Sequence, residues 1–120
     1  MPRSVLVIDD DADFRDLIRD VLQAWGHRVV GEAATVAAAP AEAEALRPDA
    51  ILVDVGLPDG DGRDLAERFA ALPWRPRVVL VSTDADAADA AVVQRLGIAG
   101  FIPKLEITGP EAQRLLGDDA

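Results

Sequence analysis

Five short segments of the chain are mostly rich in valine, isoleucine and leucine, and charged or turn-forming residues separate them. Three of the five lack polar alternation, which is typical of strands that are buried on both faces of a sheet. We therefore predict five strands, at residues 4–9, 28–33, 50–54, 77–82 and 100–103.

The segment between the first two predicted strands shows the apolar period of an amphipathic helix. Its apolar residues recur three and four positions apart, and they are Phe14, Leu17, Ile18, Val21, Leu22 and Trp25. Asp11 stands where an N-cap is expected, and Gly26 stands where a helix ends. This segment is the clearest helix prediction in the chain.

Four further helices are predicted from weaker patterns. The alanines of residues 36–46 favour a helix there, but Pro40 falls inside this segment, so the helix is short, kinked or begins later. Thr108 and Glu111 have the spacing of a capping box at the start of the last helix. This last helix is predicted over residues 110–116, before Gly117. Another helix is marked by Leu65, Phe69 and Leu72, after the turn Pro58-Asp59-Gly60. A further one is marked by Val92, Val93 and Leu96, before Gly97.

Strands that alternate with helices predict an α/β fold, with a parallel sheet covered on both faces and right-handed crossovers. In such folds ligands bind outside the carboxyl ends of the strands. Polar residues stand at or just after four of the five predicted ends, and they are Asp9 and Asp10, Asp54, Ser82 and Lys104. Residues far apart in sequence are therefore predicted to converge at one edge of the sheet.

The length and composition limit the kinds of protein that the chain represents. Its 120 residues are 50% apolar and 28% charged, which predicts one globular domain over residues 1–120. Lysine and arginine number 12 against 22 for aspartate and glutamate, and the net charge of −10 argues against nucleic acid or an anionic membrane as a direct partner. The lack of cysteine excludes disulfides, thiol catalysis and thiolate metal sites. Without a signal-peptide pattern or an apolar run of about 18 residues, a cytoplasmic protein is predicted.

The predicted cluster of carboxylates suits a hard divalent cation. Asp9, Asp10 and Asp54 would repel one another at one sheet edge, and a bound cation would let them stay ionised. Magnesium takes oxygen ligands and keeps several waters, so few protein ligands are enough. A lysine and a hydroxyl complete a site for a phosphoryl group, and a carboxylate is a known nucleophile toward such a group. These residues therefore indicate phosphoryl chemistry.

Four stretches carry these residues: VLVIDDDADF (5–14), DAILVDVGLPDGDG (49–62), VVLVSTD (78–84) and GFIPK (100–104). In this order they resemble the motifs of response-regulator receiver domains, the chemotaxis-regulator-like module of two-component signalling. The resemblance covers essentially the whole chain. It implies a flavodoxin-like fold, a doubly wound five-stranded parallel sheet in the order 2-1-3-4-5 with helices on both faces.

The resemblance also implies a phosphoryl acceptor and a metal site. Asp54 is expected to accept a phosphoryl group from a phosphohistidine of a sensor histidine kinase or of a phosphotransfer protein. Magnesium, or manganese in its place, is expected to be held by Asp10, by Asp54 and by the backbone carbonyl of Gly56. Asp9 is expected to act on the metal directly or through water.

The other implied roles concern the switch. Lys104 is expected to pair with a phosphoryl oxygen and with Asp54, and Ser82 and Phe101 are expected to turn toward the site together. Such a protein is a switch rather than an enzyme, because it catalyses only its own phosphorylation and, at most, its own dephosphorylation. Its output is a changed surface for an unidentified downstream protein.

Several positions depart from the pattern of the family. Leu105 follows the site lysine where the family usually has proline, and the proline stands earlier, at Pro103. Thr83 stands where the family usually has a very small residue. Gly56 has no side chain at a position where other members project one over the phosphoryl group. We therefore hypothesise that the site is open to water on that side, with Asp84 placed to orient a hydrolytic water.

Two other phosphate or metal motifs fit less well. Asp9, Asp11 and Asp13 imitate the opening of a calcium-binding EF-hand loop, but Phe14 and Asp20 stand where that loop needs glycine and glutamate. The run of aspartates also imitates the Asp-x-Asp motif of haloacid-dehalogenase-like phosphatases, which normally show a Gly-Thr after the motif and a larger chain. The alternative that stays open is a degenerate receiver, a scaffold that binds a partner without phosphorylation.

The remaining conspicuous residues are assigned structural roles. Asp11 and Asp13 are expected to cap and begin the first helix. His27 is expected to be a surface loop residue without a catalytic role. Trp25 and Trp74 are expected to pack, because no basic residues are interleaved with them for nucleotide stacking.

Overall fold

The five predicted strands form one sheet. In the computed structural model, which describes residues 3–117, they are β1 (Ser4–Ile8), β2 (Arg28–Ala33), β3 (Ala50–Asp54), β4 (Arg77–Ser82) and β5 (Gly100–Pro103). All neighbouring pairs are parallel and the order is β2-β1-β3-β4-β5, which confirms the predicted doubly wound topology. Residues 1–2 and 118–120 of the predicted domain lie outside the described residues.

Helices connect the strands on both faces of the sheet. They are α1 (Ala12–Ala24), α2 (Ala39–Leu46), α3 (Gly62–Ala70), α4 (Ala90–Leu96) and α5 (Pro110–Ala112), and α5 continues as a π-type turn over Gln113–Gly117. Asp11 caps α1 as predicted, because its carboxylate accepts the N–H groups of Asp13 and Phe14. Within residues 3–117, no helix has the length and apolar character that a membrane span requires.

An apolar layer covers each face of the sheet. One layer packs α2, α3 and α4 against strand residues that include Leu6, Ile8, Ile51, Val53 and Leu80. The other packs α1 and α5 against the intervening strand residues, which include Val5, Val7, Leu52, Val79 and Val81. Because both faces are covered, the interiors of the central strands are apolar throughout. Their polar residues stand at the strand ends, and this arrangement positions the site.

The start of α2 and the end of α3 differ from the simplest expectation. Of the three options that Pro40 left open, a later start is correct: α2 begins at Ala39, and the proline lies in its first turn, where a missing N–H costs no helical hydrogen bond. The prediction that Leu72 belongs to α3 is wrong, since this helix ends at Ala70. Leu72 instead packs against the core from the turn that follows.

The predicted capping box at the last helix is wrong. Gly109 occupies the N-cap position of α5, and no side chain caps the helix there. Gly117 lies within the π-type turn instead of following the helix. A matching sequence spacing is therefore not enough to place a cap where glycine and proline already fix the entry of the chain.

His27 is buried, so its assignment to a surface loop is wrong. Its Nδ1 accepts a hydrogen bond from the N–H of Arg3 at 2.9 Å, and its Nε2 lies 3.0 Å from the carbonyl oxygen of Gly117. With Nδ1 as an acceptor, the proton lies on Nε2, which donates to Gly117. The ring thus joins three distant parts of the chain. Its partners are non-local, which is why the local sequence does not reveal its burial.

The turn predicted at residues 58–60 is the tip of a short antiparallel hairpin, which joins Gly56–Leu57 to Gly60–Asp61. The sequence predicts the turn but not these two-residue strands. The hairpin leads directly from β3 to α3, and it therefore borders the carboxyl edge of the sheet.

Candidate functional site

Three carboxylates meet at the carboxyl edge of the sheet. Adjacent strands β1 and β3 pair Ile8 with Val53, so the next residue of each strand, Asp9 and Asp54, comes to the same edge. Asp9, Asp10 and Asp54 each place one oxygen within 4.8 Å of the others. Asp9 and Asp54 are buried, whereas Asp10 is exposed. The structure thus brings together the three acids that the sequence predicted at one site.

Lys104 brings a positive charge to these acids from the end of β5. Its Nζ lies 2.7 Å from Asp9 Oδ2 and 3.6 Å from Asp54 Oδ2, and its side chain is only 11% exposed. The ammonium also lies 4.4 Å from the centre of the Phe14 ring, a cation–π distance. The predicted neighbour of this lysine was Asp54, but its closer partner in the structure is Asp9.

The environment of Asp54 disfavours its charge. Burial raises the pKa of the Asp54 carboxyl above its ordinary value, and the nearby charge of Asp9 raises that pKa further. The Lys104 ammonium and the N–H of Gly56, which lies 3.4 Å from Asp54 Oδ1, lower the pKa in part. The net direction is upward. Ionised carboxylates are therefore held here at an electrostatic cost that a bound cation would relieve.

In the described part of the chain, one oxygen of Asp9 is contacted only by the Lys104 ammonium. Asp9 Oδ1 accepts the N–H of Asp11 at 2.9 Å. Asp9 Oδ2 is buried and accepts no hydrogen bond within residues 3–117, because its contact with Lys104 is an ion pair without hydrogen-bond geometry. The Lys104 ammonium offsets the cost of burying this charged oxygen, and a divalent cation would share the oxygen with it. With oxygen donors only and Asp10 open to water, the cluster fits Mg²⁺ or Mn²⁺ better than a softer metal.

Two glycines shape the backbone next to Asp54. A Cβ atom at Gly62 would stand 1.9 Å from the carbonyl oxygen of Asp54, so only glycine lets α3 begin this close to the end of β3. Gly56 is exposed, and a Cβ atom there would meet nothing within 4 Å. The Gly56 position is thus open, and access of water to the site from this side stays a prediction. The use of the Gly56 carbonyl as a metal ligand stays a prediction.

Ser82 and Phe101 lie on the two strands that follow β3 across the sheet, β4 and β5. Ser82 is the buried last residue of β4, and its Oγ accepts the N–H of Asp84 at 3.0 Å. Among residues 3–117, no hydrogen bond joins this hydroxyl to Asp54. Phe101 is half-buried on β5, packs against the layer formed with α2 to α4, and borders a groove of about 320 Å³. Their roles in a switch stay predictions.

The loop after Lys104 is a single 3-10 turn, Lys104–Glu106. Every peptide bond in the described part of the chain is trans, including those of Pro103 and Leu105. The Leu105 side chain is 96% exposed, although it is apolar and adjacent to the site lysine. The departure from the family pattern at this position thus places a large apolar side chain in solvent beside the site.

Arg15 is a site residue that sequence reasoning missed. Its Nη1 donates to the backbone carbonyl of Asp9 at 2.6 Å, and its Nε donates to Glu32 Oε1 at 3.1 Å. A signal for it exists in the sequence: Arg15 follows the N-cap residue Asp11 by four positions, and thus lies on the side of α1 that faces the end of β1. The sequence predicts β2 beside β1, but it does not predict that Arg15 pairs with Glu32 on that strand.

Two further side chains bond neighbouring loops to the segment that follows Asp54. The carboxylate of Asp59 accepts the N–H of Val36 at 2.7 Å and that of Ala37 at 3.0 Å, and these hydrogen bonds lower its pKa. Arg63 donates from Nη1 to the carbonyl of Ala87 at 3.0 Å. The loop after β2 is therefore connected to the hairpin, and the loop after β4 is connected to α3.

Comparison with protein families agrees with this geometry. The model of the response regulator receiver domain matches residues 5–110. Transcriptional regulatory protein PdtaR of Mycobacterium tuberculosis is 34% identical over 116 residues, which cover 89% of this chain and 57% of that protein. The KDP operon transcriptional regulatory protein KdpE of Escherichia coli is 33% identical over 105 residues, which cover 84% of this chain and 44% of that protein. The chain spans about half the length of these two relatives.

Solved structures give the same result. The signal receiver domain of NarL from Mycobacterium tuberculosis is 31% identical with a TM-score of 0.76, and the match covers 98% of each chain. The response regulator domain of CheB from Thermotoga maritima is 26% identical with a TM-score of 0.79, and the match covers 100% of each chain. Similarity in sequence and in fold therefore extends over almost all of the chain.

Proposed function

Since this chain belongs to the family of response regulator receiver domains, we propose that it works as a phospho-accepting switch of two-component signalling. In this proposal Asp54 takes a phosphoryl group from a phosphohistidine of a sensor histidine kinase or of a phosphotransfer protein. The observation that carries the proposal is the meeting of a buried Asp54 with two further carboxylates and Lys104 at the carboxyl edge of the sheet.

The transfer is a displacement at phosphorus. A carboxylate oxygen of Asp54 forms the new bond, and the bond from phosphorus to the imidazole nitrogen of the donor breaks. The other ring nitrogen of the donor carries a proton during the transfer, so the imidazole that leaves with the electron pair is a neutral ring. Because burial and Asp9 raise the pKa of Asp54, the ionised carboxylate is more basic than in water, which favours its attack. Lys104 is close enough to offset part of the developing negative charge.

Asp9, Asp10 and Asp54 are the residues that would hold Mg²⁺ or Mn²⁺, with the backbone carbonyl of Gly56 as a further ligand. When bound, the cation supplies positive charge that neutralises phosphoryl oxygens. The exposure of Asp10 leaves room for bound water, which Mg²⁺ keeps in most protein sites.

Ser82 would exchange its present hydrogen bond for one to the phosphoryl group. Its Oγ now accepts the N–H of Asp84, so the exchange would alter the loop that leads from β4 to α4. Phe101, half-buried on the neighbouring strand, would turn inward with it. The changed surface would then bind a downstream protein.

The proposal also covers the cellular location of the chain and the range of molecules on which it acts. The chain would act in the cytoplasm, where sensor kinases present their phosphohistidines. It would act on no substrate except its own phosphoryl group, and it would bind neither nucleic acid nor membrane directly, since its net charge is −10.

The decisive experiment measures the intact mass after incubation with MgCl₂ and acetyl phosphate. We expect a gain of one phosphoryl group, and we expect no gain in the Asp54→Asn variant or in the presence of EDTA. A known receiver domain labelled in parallel shows that the donor is active. No gain in the wild type under those conditions would contradict the proposal.

A second candidate function is a scaffold that binds a partner without phosphorylation. The fully exposed Leu105 favours it, because an apolar side chain beside the site suits a protein contact that does not depend on the phosphoryl group. The same mass measurement separates the two functions, since a scaffold would gain no phosphoryl group.

A further inference from the structure

Arg15 contacts the end of β1 and the edge strand β2 at once. Its Nη1 donates to the carbonyl oxygen of Asp9 at 2.6 Å, and its Nε donates to Glu32 Oε1 at 3.1 Å. The Arg15 side chain is 22% exposed, so most of it is out of water. Glu32 is held in turn by Arg19, whose Nη2 lies 2.9 Å from the second carboxylate oxygen. The guanidinium is therefore fixed in orientation rather than free to rotate.

The Asp9 carbonyl is the point at which this orientation matters. A peptide plane contains both that carbonyl and the N–H of Asp10, so fixing the carbonyl also fixes the backbone that precedes Asp10. The N–H of Asp9 bonds the carbonyl of Ala33 at 2.9 Å, and Asp9 Oδ1 bonds the N–H of Asp11. With Arg15 on the carbonyl, Asp9 is held at three of its four polar atoms. The fourth, Oδ2, is ion-paired with Lys104 Nζ at 2.7 Å.

We propose that Arg15 is a positioning residue for the two metal-binding acids Asp9 and Asp10. It does not touch the cation. Its hydrogen bond fixes the turn that aims both carboxylates at the same point, and Glu32 fixes Arg15. This inference rests on the proposed function, because it presumes that a divalent cation binds at this edge of the sheet.

Two effects of Arg15 on cation binding have opposite signs. Its positive charge repels a cation, which weakens binding. Its hold on the Asp9 carbonyl preorganises the ligands, which strengthens binding, and loss of such an outer contact typically costs about 10-fold to 100-fold in metal affinity. Arg15→Lys separates the two effects because lysine keeps the charge, while its single ammonium cannot replace the planar fork that bonds the carbonyl and Glu32 together.

The test is a titration of the full chain with MgCl₂, followed by the amide shifts in two-dimensional ¹⁵N NMR spectra. We expect the Mg²⁺ Kd of Arg15→Lys to rise by about 10-fold relative to wild type. Arg15→Gln removes the charge as well as the contact, so we expect its Kd to rise by less. Urea unfolding without Mg²⁺ shows whether each variant is still folded at the start of the titration.

Arg19→Gln is the matched control, because Arg19 also pairs with Glu32 but does not contact Asp9. We expect its Kd to stay within about twofold of wild type. The inference is overturned if Arg15→Lys also stays within about twofold, or if Arg19→Gln weakens binding as much as Arg15→Lys does. A wild-type chain that shows no Mg²⁺-dependent shifts would instead contradict the proposed function.

Discussion

Asp54 must satisfy two requirements that oppose each other. A nucleophile toward phosphorus has to be ionised, but burial and the charge of Asp9 raise the pKa of this carboxyl and disfavour its ionised form. Lys104, 3.6 Å away, and the N–H of Gly56 offset part of that cost. The residual cost is stored in the folded protein, and it gives the site a measurable dependence on pH.

The first prediction is that Asp54→Asn stabilises the metal-free protein at pH 7. A carboxyl whose folded pKa lies above its unfolded value makes stability fall as pH rises, from about 3.9 up through the folded pKa. The neutral amide does not pay this cost, so we expect a larger free energy of unfolding than in wild type. The gain should vanish below a pH of about 4. Urea unfolding in EDTA over a pH series measures both.

Asp59→Asn serves as a control of the opposite sign. The N–H groups of Val36 and Ala37 lower the pKa of Asp59, so its carboxylate contributes stability above the unfolded pKa, and this contribution is lost as pH falls through the folded pKa. The variant should be less stable than wild type at pH 7, and the difference should shrink in acid. If both variants change stability in the same direction at pH 7, the electrostatic account of Asp54 is wrong.

The second prediction concerns the lifetime of the phosphoryl group. A Cβ atom at Gly56 would meet nothing within 4 Å, and Asp84 is exposed in the loop that follows Ser82. If Asp84 orients a hydrolytic water, Asp84→Ala should lose its phosphoryl group more slowly than wild type. The decay is followed by intact mass after the donor is removed. Asp86→Ala, which removes an exposed acid of the same loop, should decay like wild type, and an unchanged lifetime in Asp84→Ala would refute the hypothesis.

The site residues differ in how well the sequence predicts them. Asp9, Asp54 and Lys104 are predictable because parallel strands end at one edge, so residues that follow buried strands must come together there. The contacts of Arg15 and His27 are not predictable, because their partners lie on other elements. Arg15 pairs with Glu32, and His27 bonds to Arg3 and Gly117. Local sequence places Arg15 on the side of α1 that faces the end of β1, but it does not identify either set of partners.

At the scale of the elements, the boundary of a helix or strand can be predicted when nearby residues determine it, and not when distant residues do. The strands and α1 are bounded by local signals, namely apolar runs, the Asp11 cap and turn residues. Carbonyl groups of the last described turn are instead bonded by distant side chains. Arg3 and Arg77 donate to the carbonyl of Leu115, and His27 donates to that of Gly117. Such partners are not visible in the local sequence, which is why the sequence predicts that Gly117 follows the helix although it lies within the turn.

The third prediction tests the contact between β3 and α3. A Cβ atom at Gly62 would stand 1.9 Å from the carbonyl oxygen of Asp54, so Gly62→Ala forces one element away from the other. We expect a loss of about 3 kcal/mol in the free energy of unfolding by urea, together with weaker phosphorylation, because Asp54 moves.

Gly56→Ala is the matched variant, since a Cβ atom there meets nothing within 4 Å. It should change stability by no more than about 0.5 kcal/mol. Equal effects of the two alanines would show that the close approach of α3 to β3 is not what requires glycine at residue 62.

At the scale of the whole molecule, the two apolar layers cover both faces of the sheet, and the charged side chains of the site lie at its carboxyl edge. Both faces of the sheet are covered, so the acids at the ends of β1 and β3 can be brought together only beyond the strands. The comparisons show the same fold over nearly the whole chain. The stability of the entire domain should therefore respond to a cation bound at this one edge.

The fourth prediction is that Mg²⁺ stabilises the folded chain by mass action. At a concentration ten times the Kd from the NMR titration, the free energy of unfolding should rise by about 1.4 kcal/mol. The rise should be absent in Asp10→Asn, which removes the exposed ligand but no buried contact. An equal rise in that variant would indicate general salt screening rather than binding at the acidic cluster.

The measurement that tests the central claim most directly locates the phosphoryl group. An aspartyl phosphate is an acyl phosphate, so borohydride reduces its carbonyl to an alcohol, releases phosphate and leaves homoserine in the chain. After reaction with acetyl phosphate and Mg²⁺, reduction and proteolysis, peptide sequencing by mass spectrometry should find homoserine at residue 54. Homoserine at Asp9, at Asp10 or elsewhere, or a phosphorylated chain that yields none, would contradict the assignment of Asp54 as the acceptor.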